Sequence, residues 1–258
     1  MRMTIVGCSG SFPGPESPSS CYLFEAEGFR MILDFGNGSL GALQRHIGLY
    51  DLDAICLSHL HADHCLDLCA YHVVRTYSPS GAKARIPVYA PADAPARMAA
   101  AYGMPMEPGM ENAFDFRALA PGTRRIGPFE VTTALMNHPV ETYGFRVSHG
   151  GATVAYSADT GETEELVRLA RDADILLCEA SFLDRPDLPP DLHLTGRHAA
   201  EYAKRASVST LILTHLVPWY DPELILRDAF GGGFEGPMEL ARAGAVYDLG
   251  DSRGPGGG

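Results

Sequence analysis

The protein has 258 residues, which is enough for one large α/β domain with a sizeable core. Hydrophobic residues make up 46% of the chain and charged residues 20%, which excludes a disordered or collagen-like chain. Acidic residues outnumber basic ones by 32 to 20, and the net charge of −12 argues against a broad nucleic-acid-binding surface.

The first half of the chain alternates short β-type runs with helical patterns. A loop rich in Gly, Ser and Pro at 7–20 separates the first two predicted strands. Helices are predicted at 65–76 and 92–102. The strands predicted in this half are 3–6, 21–25, 30–34, 54–57 and 87–89.

The second half of the chain repeats this mixture of strands and helices. Helices are predicted at 162–171 and at 196–206, and Thr195 is a suitable N-cap for the second. The tripeptide His149-Gly150-Gly151 predicts a hairpin turn. The strands predicted in this half are 129–136, 143–147, 153–157, 175–178, 211–213 and 245–247.

The domain organisation is predicted to be simple. We find no dividing linker or short-period repeat, so residues 1–251 are predicted to form one domain, followed by a disordered tail at 252–258. No signal peptide or membrane-spanning segment is recognisable. The six cysteines are scattered through apolar segments, as expected for reduced thiols in a cytoplasmic protein.

The most informative segment is LSHLHADHCLDL, which contains His59, His61, Asp63 and His64. Residues two apart in an extended chain point to the same side, so His59 and His61 can bind one cation while Asp63 and His64 face a second position. Four unrelated loop residues would produce this pattern only rarely. The segment therefore predicts a metal site.

Three later polar residues each follow an apolar strand, namely His138, Asp159 and His215. Ligands held at the ends of rigid strands lose little entropy on binding a metal, which suits a catalytic site. Taken singly, each residue is equally explained as a hydrogen-bonded His or a turn Asp, but their joint placement favours ligands. Imidazole and carboxylate ligands suit zinc, and also manganese or iron.

Together these residues resemble the metallo-β-lactamase superfamily, and the resemblance covers nearly the whole chain. It implies an α/β fold built as a four-layer αββα sandwich. It also implies two divalent metal ions, zinc by default. In that resemblance the first ion is held by His59, His61 and His138, the second by Asp63, His64 and His215, and Asp159 bridges the two.

The chemistry of such a pair of ions agrees with a hydrolase. Two cations about 3.5–4 Å apart can hold a bridging hydroxide and neutralise the charge that develops on an attacked phosphorus or carbonyl.

The segment HLTGRHAAEYAKRASVSTLILTHLVPWY resembles the ribonuclease Z branch of phosphodiesterases. The match places His193 ahead of a helix that leads into the last ligand strand. A histidine there could protonate the leaving alkoxide or bind a phosphate oxygen, so His193 is assigned a catalytic role. Asp63 is assigned a catalytic role as well, in addition to binding metal. The alternative for His193 is a solvent-exposed loop histidine.

Two departures from ribonuclease Z bear on the substrate. Ribonuclease Z enzymes commonly carry a long tRNA-gripping arm between the ligands that match His138 and Asp159, but here these residues are only 21 positions apart. Trp219 stands where the tRNA enzymes usually have Arg, which removes a phosphate-binding cation. For this Trp, packing is favoured over base stacking.

The chain lacks a tRNA-gripping arm and carries the N-terminal segment GCSGSFPGPESPSSCYLFE. In both respects it is similar to the actinobacterial cyclic-nucleotide phosphodiesterases. We therefore expect a phosphodiesterase that hydrolyses a small cyclic nucleotide, best 3′,5′-cyclic AMP, and not an extended nucleic acid. A tRNA 3′-end endonuclease is the first alternative, and a thioester or lactone hydrolase the second. An inactive metal-binding scaffold is disfavoured because no ligand position is missing. The resemblance also implies a homodimer.

Overall fold

The computed structural model describes residues 1–250, so the predicted tail at 252–258 lies outside the described residues. One of its two sheets contains both the first and the last strand of the chain. The strands of this first sheet are β1 (Arg2–Gly7), β2 (Cys21–Ala26), β3 (Phe29–Leu33), β4 (Ala54–Cys56), β5 (Ile86–Ala90), β6 (Phe114–Ala118) and β14 (Val246–Asp248). Their order is β14-β1-β2-β3-β4-β5-β6, and β3 to β6 run parallel.

The second sheet also has seven strands. They are β7 (Gly122–Ile126), β8 (Phe129–Leu135), β9 (Tyr143–His149), β10 (Ala152–Tyr156), β11 (Ile175–Glu179), β12 (Thr210–Thr214) and β13 (Met238–Leu240). Their order is β13-β12-β11-β10-β9-β8-β7, and β10 to β13 run parallel. The predicted turn is confirmed, because His149 pairs with Ala152 across the β9–β10 hairpin.

Helices cover the outer face of each sheet. Those on the first sheet are α1 (Ser39–Leu43), α2 (Ala62–Cys65), α3 (Asp67–Thr76) and α4 (Ala94–Tyr102). Those on the second are α5 (Glu164–Ala170), α6 (Gly196–Arg205) and α7 (Pro222–Ala229), followed by a short 3₁₀ turn at Phe230–Gly232. Thr195 is the N-cap of α6 as predicted, since its side chain accepts a hydrogen bond from the His198 amide.

The core explains why the layers stack as they do. Successive strand residues point to opposite faces of a sheet, so a strand buried on both sides needs apolar residues at nearly every position. In β2, Tyr22 and Phe24 face the layer between the sheets, where they join Phe129 and Phe145 of the second sheet. Leu23, between them, packs on the outer helices. The αββα sandwich is confirmed.

Some local predictions need correction. Strands β6, β7 and β13 were not predicted, because FDFRA and GTRRI carry charged residues and lie at or beside exposed sheet edges, and MEL is only three residues long. The helix predicted at 65–76 is two helices, with Leu66 between α2 and α3. Within residues 1–250, no helix has both the length and the apolar character needed to cross a membrane.

Candidate metal centre

The predicted site residues meet at the carboxyl ends of the strands of both sheets. His59 lies three residues after β4, Asp159 three residues after β10, and His215 directly after β12. In open α/β sheets this edge is where ligands bind, because loops leaving neighbouring parallel strands converge there. Asp63 and His64 lie in α2, for which His61 is the N-cap.

The backbone is strained at three of these strand ends. Asp34 after β3, Ala158 after β10 and His215 after β12 have φ angles of 61°, 52° and 54°, in the left-handed region that non-glycine residues avoid. Such strain persists where the surrounding contacts fix the conformation, and it occurs often at active sites. Two of these residues, Asp34 and His215, have side chains in the site, and the third, Ala158, directly precedes Asp159.

All seven predicted ligands lie together in two groups. Within each group, one candidate ligand atom per residue lies within 4.8 Å of the others. Between the groups, His64 Nε2 lies 3.2 Å from Asp159 Oδ1. The first group is His59, His61, His138 and Asp159, and the second is Asp63, His64 and His215.

Asp34, a fully buried carboxylate, orients two of the histidines. Asp34 Oδ2 accepts a hydrogen bond from His64 Nδ1 at 2.8 Å. It also accepts from Ser58 Oγ at 2.9 Å, so the Ser58 hydroxyl accepts in turn from His59 Nδ1 at 3.0 Å. Because the Nδ1 atoms of His59 and His64 carry the proton, their Nε2 lone pairs face the cluster.

Glu179, a second fully buried carboxylate, orients a further histidine, His215, through Ser181. Ser181 Oγ donates to Glu179 Oε2 at 2.8 Å and accepts from His215 Nδ1 at 2.6 Å. His138 Nδ1 donates to the Leu192 carbonyl at 3.0 Å. His138 and His215 therefore also present Nε2 lone pairs to the cluster.

These converging lone pairs suit a cation. His64 Nε2 lies 3.2 Å from His215 Nε2, and His59 Nε2 lies 3.0 Å from His61 Nδ1. In the tautomers described above, the Nε2 atoms carry no proton that could form a hydrogen bond across these short distances. Asp159 Oδ1 is buried and has no hydrogen-bond partner within the described residues. Buried polar atoms without partners are costly, and metal ligation satisfies them. The two groups fit divalent metal binding.

The protonation states suit ligands as well. Burial lowers the pKa of His59, His61 and His138, so these rings are neutral at pH 7. Burial opposes ionisation of Asp63 and Asp159, but the neighbouring His64 and His215 outweigh it and lower the pKa of both carboxyls.

The surplus of carboxylates requires a compensating positive charge. Burial lowers the pKa of His64, but the charges of Asp159, Asp34 and Asp63 outweigh that effect and raise it well above the ordinary value. A proton on His64 or a bound cation would supply this positive charge, so metal binding at this site would release a proton.

His193 is not solvent-exposed, because it packs against the same site. Its Nδ1 donates to Glu179 Oε1 at 3.0 Å and lies 4.0 Å from Asp159 Oδ2. Burial lowers the pKa of His193, but the charge and hydrogen bond of Glu179 outweigh it and raise the pKa to about 9. The ring is therefore protonated at pH 7. Asp159, His193 and His215 also form a third possible metal-ligating group.

Sequence reasoning missed Asp34 and Glu179, the two carboxylates that orient the rings. Each closes an apolar strand, in ILDFG and ILLCEAS, and a charge at the end of a buried strand is the one signal that could have identified them. A further correction concerns Trp219, for which packing was expected. Trp219 is 65% exposed, and its ring contacts that of Phe12.

The family follows from comparison with known sequences. The sequence model of the β-lactamase superfamily domain matches residues 31–216, a span that runs from β3 to the residue after His215. The chain belongs to the β-lactamase superfamily. As a member with these His and Asp groups, it is a metal-dependent hydrolase.

Relatives in this superfamily span almost the whole chain. An uncharacterized protein of Mycobacterium leprae is 42% identical over 255 residues, covering 96% of this chain and 89% of the relative. Ribonuclease Z of Methanosarcina acetivorans is 28% identical, with 89% and 92% of the two chains covered.

Solved structures agree on the fold. The metallo-β-lactamase fold protein YhfI of Bacillus subtilis has a TM-score of 0.85 at 27% identity, covering 95% of this chain and 98% of that one. The short form of human tRNase Z has a TM-score of 0.76 at 20% identity, covering 96% and 99%.

Proposed function

We propose that this hydrolase is a dinuclear metal-dependent phosphodiesterase that opens a cyclic nucleotide, with 3′,5′-cyclic AMP as the preferred substrate. The observation that carries the proposal is the position of His193, a protonated ring held by Glu179 beside both His and Asp groups. A proton donor next to a dimetal site matches the needs of a phosphodiester, whose leaving alkoxide must be protonated.

The proposal assigns each ligand to an ion. His59, His61 and His138 would hold the first ion, Asp63, His64 and His215 the second, and Asp159 would bridge them. Asp159 suits a bridge because Oδ2 lies 3.6 Å from His59 Nε2 while Oδ1 lies 3.4 Å from His215 Nε2. We propose zinc, since the ligands are imidazole and carboxylate, with manganese or iron as alternatives.

Two ions held there would make a water nucleophilic at neutral pH and neutralise charge on the phosphate. The chain's own residues then position and protonate. His193 Nε2 donates its proton to the ribose oxygen as the bond from that oxygen to phosphorus breaks, and Glu179 stabilises the imidazolium beforehand. Asp34 and Glu179 keep the ligand rings in one tautomer, which preorganises the site.

A small substrate is supported by the chain between His138 and Asp159. That interval contains only the β9–β10 hairpin, with Gly150 and Gly151 at its turn, so it provides no extended arm. The net charge of −12 also disfavours a polyanion, whereas a cyclic mononucleotide carries a single negative charge that the two ions can meet directly.

A tRNA 3′-end endonuclease is the second candidate, and the similarity to ribonuclease Z of Methanosarcina acetivorans favours it. Thioester or lactone hydrolysis fits the same groups, but it makes less use of a protonated His193.

We further propose a homodimer, which size-exclusion chromatography with light scattering would test. A cytoplasmic location is part of the proposal, because all six cysteines are unpaired thiols.

The substrate assignment predicts efficient hydrolysis of cyclic AMP and negligible cleavage of precursor tRNA with the same metal. Affinity for a polyanion such as tRNA depends on the number of phosphates that basic side chains contact, and an acidic surface offers few such contacts. The comparison of kcat/KM should be made at low salt, where tRNA binding is most favoured. A higher kcat/KM for tRNA cut at its 3′ end would overturn the cyclic-nucleotide assignment and leave the second candidate.

Glu179→Gln should narrow the pH range of activity. The carboxylate of Glu179 raises the pKa of His193 to about 9, so the acid form persists below that pH and is lost above it. Without the charge of Glu179, the pKa of His193 should fall to the ordinary value of about 6.5 or lower. The protonated fraction of His193 at pH 8 should then be about 30-fold smaller.

The measurement is kcat against pH for cyclic AMP. We expect the basic limb of the Glu179→Gln profile to shift to lower pH, with the smallest loss of activity below pH 6. Glu165 on α5, which pairs with Arg168, offers the matched control, and Glu165→Gln should keep the wild-type profile. An unshifted basic limb would mean that Glu179 does not set the pKa of the acid.

A further inference from the structure

Two large apolar side chains stand at the rim of the metal centre without being part of the core. Phe12 and Trp219 contact each other, with ring centroids 5.2 Å apart and an angle of 58° between the planes. Phe12 is 37% exposed and Trp219 is 65% exposed. Because burial of aromatic rings stabilises a fold, the surface that these two rings leave exposed is available to a ligand.

Both rings are attached to segments that touch the metal centre. The Ser11 amide, one residue before Phe12, donates to Asp63 Oδ2 at 2.8 Å. From that bond and the backbone dimensions, the Phe12 Cα lies at most about 8 Å from the Asp63 carboxylate. Trp219 follows His215 by four residues. The pair therefore lies on two segments that each adjoin a proposed ligand, Asp63 or His215.

The two segments are also fixed to each other. The Gly10 amide donates to the Leu216 carbonyl at 3.1 Å, and the Leu216 amide donates to the Cys8 carbonyl at 2.9 Å. A Cβ atom at position 10 would lie 2.6 Å from His215 Nδ1, so only glycine lets the loop pass this close to His215. These contacts hold the exposed rings in place, as a preformed binding surface requires.

We propose that Phe12 and Trp219 form an aromatic wall that stacks on the base of the cyclic nucleotide while the metal centre takes the phosphate. This inference rests on the proposed function. Stacking on an aromatic ring needs no charge on the protein and tolerates different bases, because every base has a π face. Purines offer more stacking area than pyrimidines, so cyclic AMP and cyclic GMP should bind better than cyclic CMP.

The chain provides its own reporter of stacking, since Trp219 is its single tryptophan. Adenosine, which lacks a phosphate, should quench the tryptophan fluorescence of the purified protein when it stacks on the indole. Phe12→Ala should weaken this binding, whereas Phe230→Ala should not. Phe230 is a matched control, because it is also 65% exposed but lies beyond α7. Tryptophan fluorescence that does not change when adenosine is added at millimolar concentration would overturn the proposal.

Kinetics give a second, independent measurement. Phe12→Ala and Trp219→Ala should each raise KM for cyclic AMP by about 5- to 150-fold, since stacking contributes about 1–3 kcal/mol per base. Trp219→Phe should restore most of the affinity. Methyl riboside 3′,5′-cyclic phosphate, which has no base, should be hydrolysed within about twofold of wild type by the variants. Equal losses on both substrates would mean that the pair only supports the loop that binds Asp63.

Failure of the proposed function gives a different result from failure of this inference. If the wild-type protein hydrolyses bis-p-nitrophenyl phosphate but no cyclic nucleotide, the proposed function is wrong, and adenosine quenching then decides the aromatic wall alone. If cyclic AMP is hydrolysed with the same KM by wild type, Phe12→Ala and Trp219→Ala, the proposed function stands and the aromatic wall is wrong.

Discussion

Replacing His59 and His61 together by alanine is expected to remove most of the bound metal and reduce hydrolysis to background. The facing nitrogens of these two rings are 3.0 Å apart in the first group, so both are proposed as ligands of one ion. Wild-type protein should carry close to two ions per chain. Elemental analysis of the purified proteins gives the metal content, and circular dichroism checks that the double variant is folded.

Two histidines outside the groups provide the control. His46 is exposed, and His149 bonds to the Pro128 carbonyl at the far end of the β9–β10 hairpin. The double variant His46→Ala with His149→Ala should keep its full metal content and activity. A full complement of metal in the His59→Ala, His61→Ala variant would defeat the ligand assignment.

The spacing of polar residues was enough to predict the groups that the structure brings together. His59, His61, Asp63 and His64 lie within six positions of one another, so local geometry alone suggested their convergence. His138, Asp159 and His215 were predicted because each follows an apolar strand, and strand ends meet at one edge of a sheet. These predictions needed only periodicity and the chemistry of the side chains.

The supporting residues could not be predicted in the same way. Asp34 acts on His64 across 30 positions, and Glu179 acts on His215 through Ser181 across more than 30. Such contacts depend on which strands become neighbours, and no local pattern encodes that. The exposure of Trp219 was missed for a related reason, because only the folded loop shows that its partner Phe12 also lies at the rim.

The two buried carboxylates divide the support of the site between the sheets. Asp34 follows β3 of the first sheet and serves His59 and His64, while Glu179 ends β11 of the second sheet and serves His193 and His215. The first group of proposed ligands therefore contains one ring fixed in this way, His59, and the second contains two, His64 and His215. Rings held in one orientation lose little entropy on binding metal, which allows the site to bind ions without first reorganising.

His193→Ala is expected to keep both ions and to reduce turnover of cyclic AMP by about 10²–10⁴-fold, because the leaving ribose oxygen loses its proton donor. That loss corresponds to about 3–5 kcal/mol in the activation free energy. Elemental analysis separates this role from ligation, which the grouping of His193 with Asp159 and His215 would also permit. Loss of an ion from His193→Ala would show that His193 is a ligand.

The leaving group decides what His193 does in the reaction. p-Nitrophenolate is a weak base that departs without protonation, so bis-p-nitrophenyl phosphate should lose far less activity in His193→Ala than cyclic AMP does. Equal losses on the two substrates would assign His193 to phosphate binding instead, because both substrates present the same phosphate oxygens to the site. The acid role also requires that activity of the wild type fall as pH rises through about 9, the pKa at which His193 loses its proton.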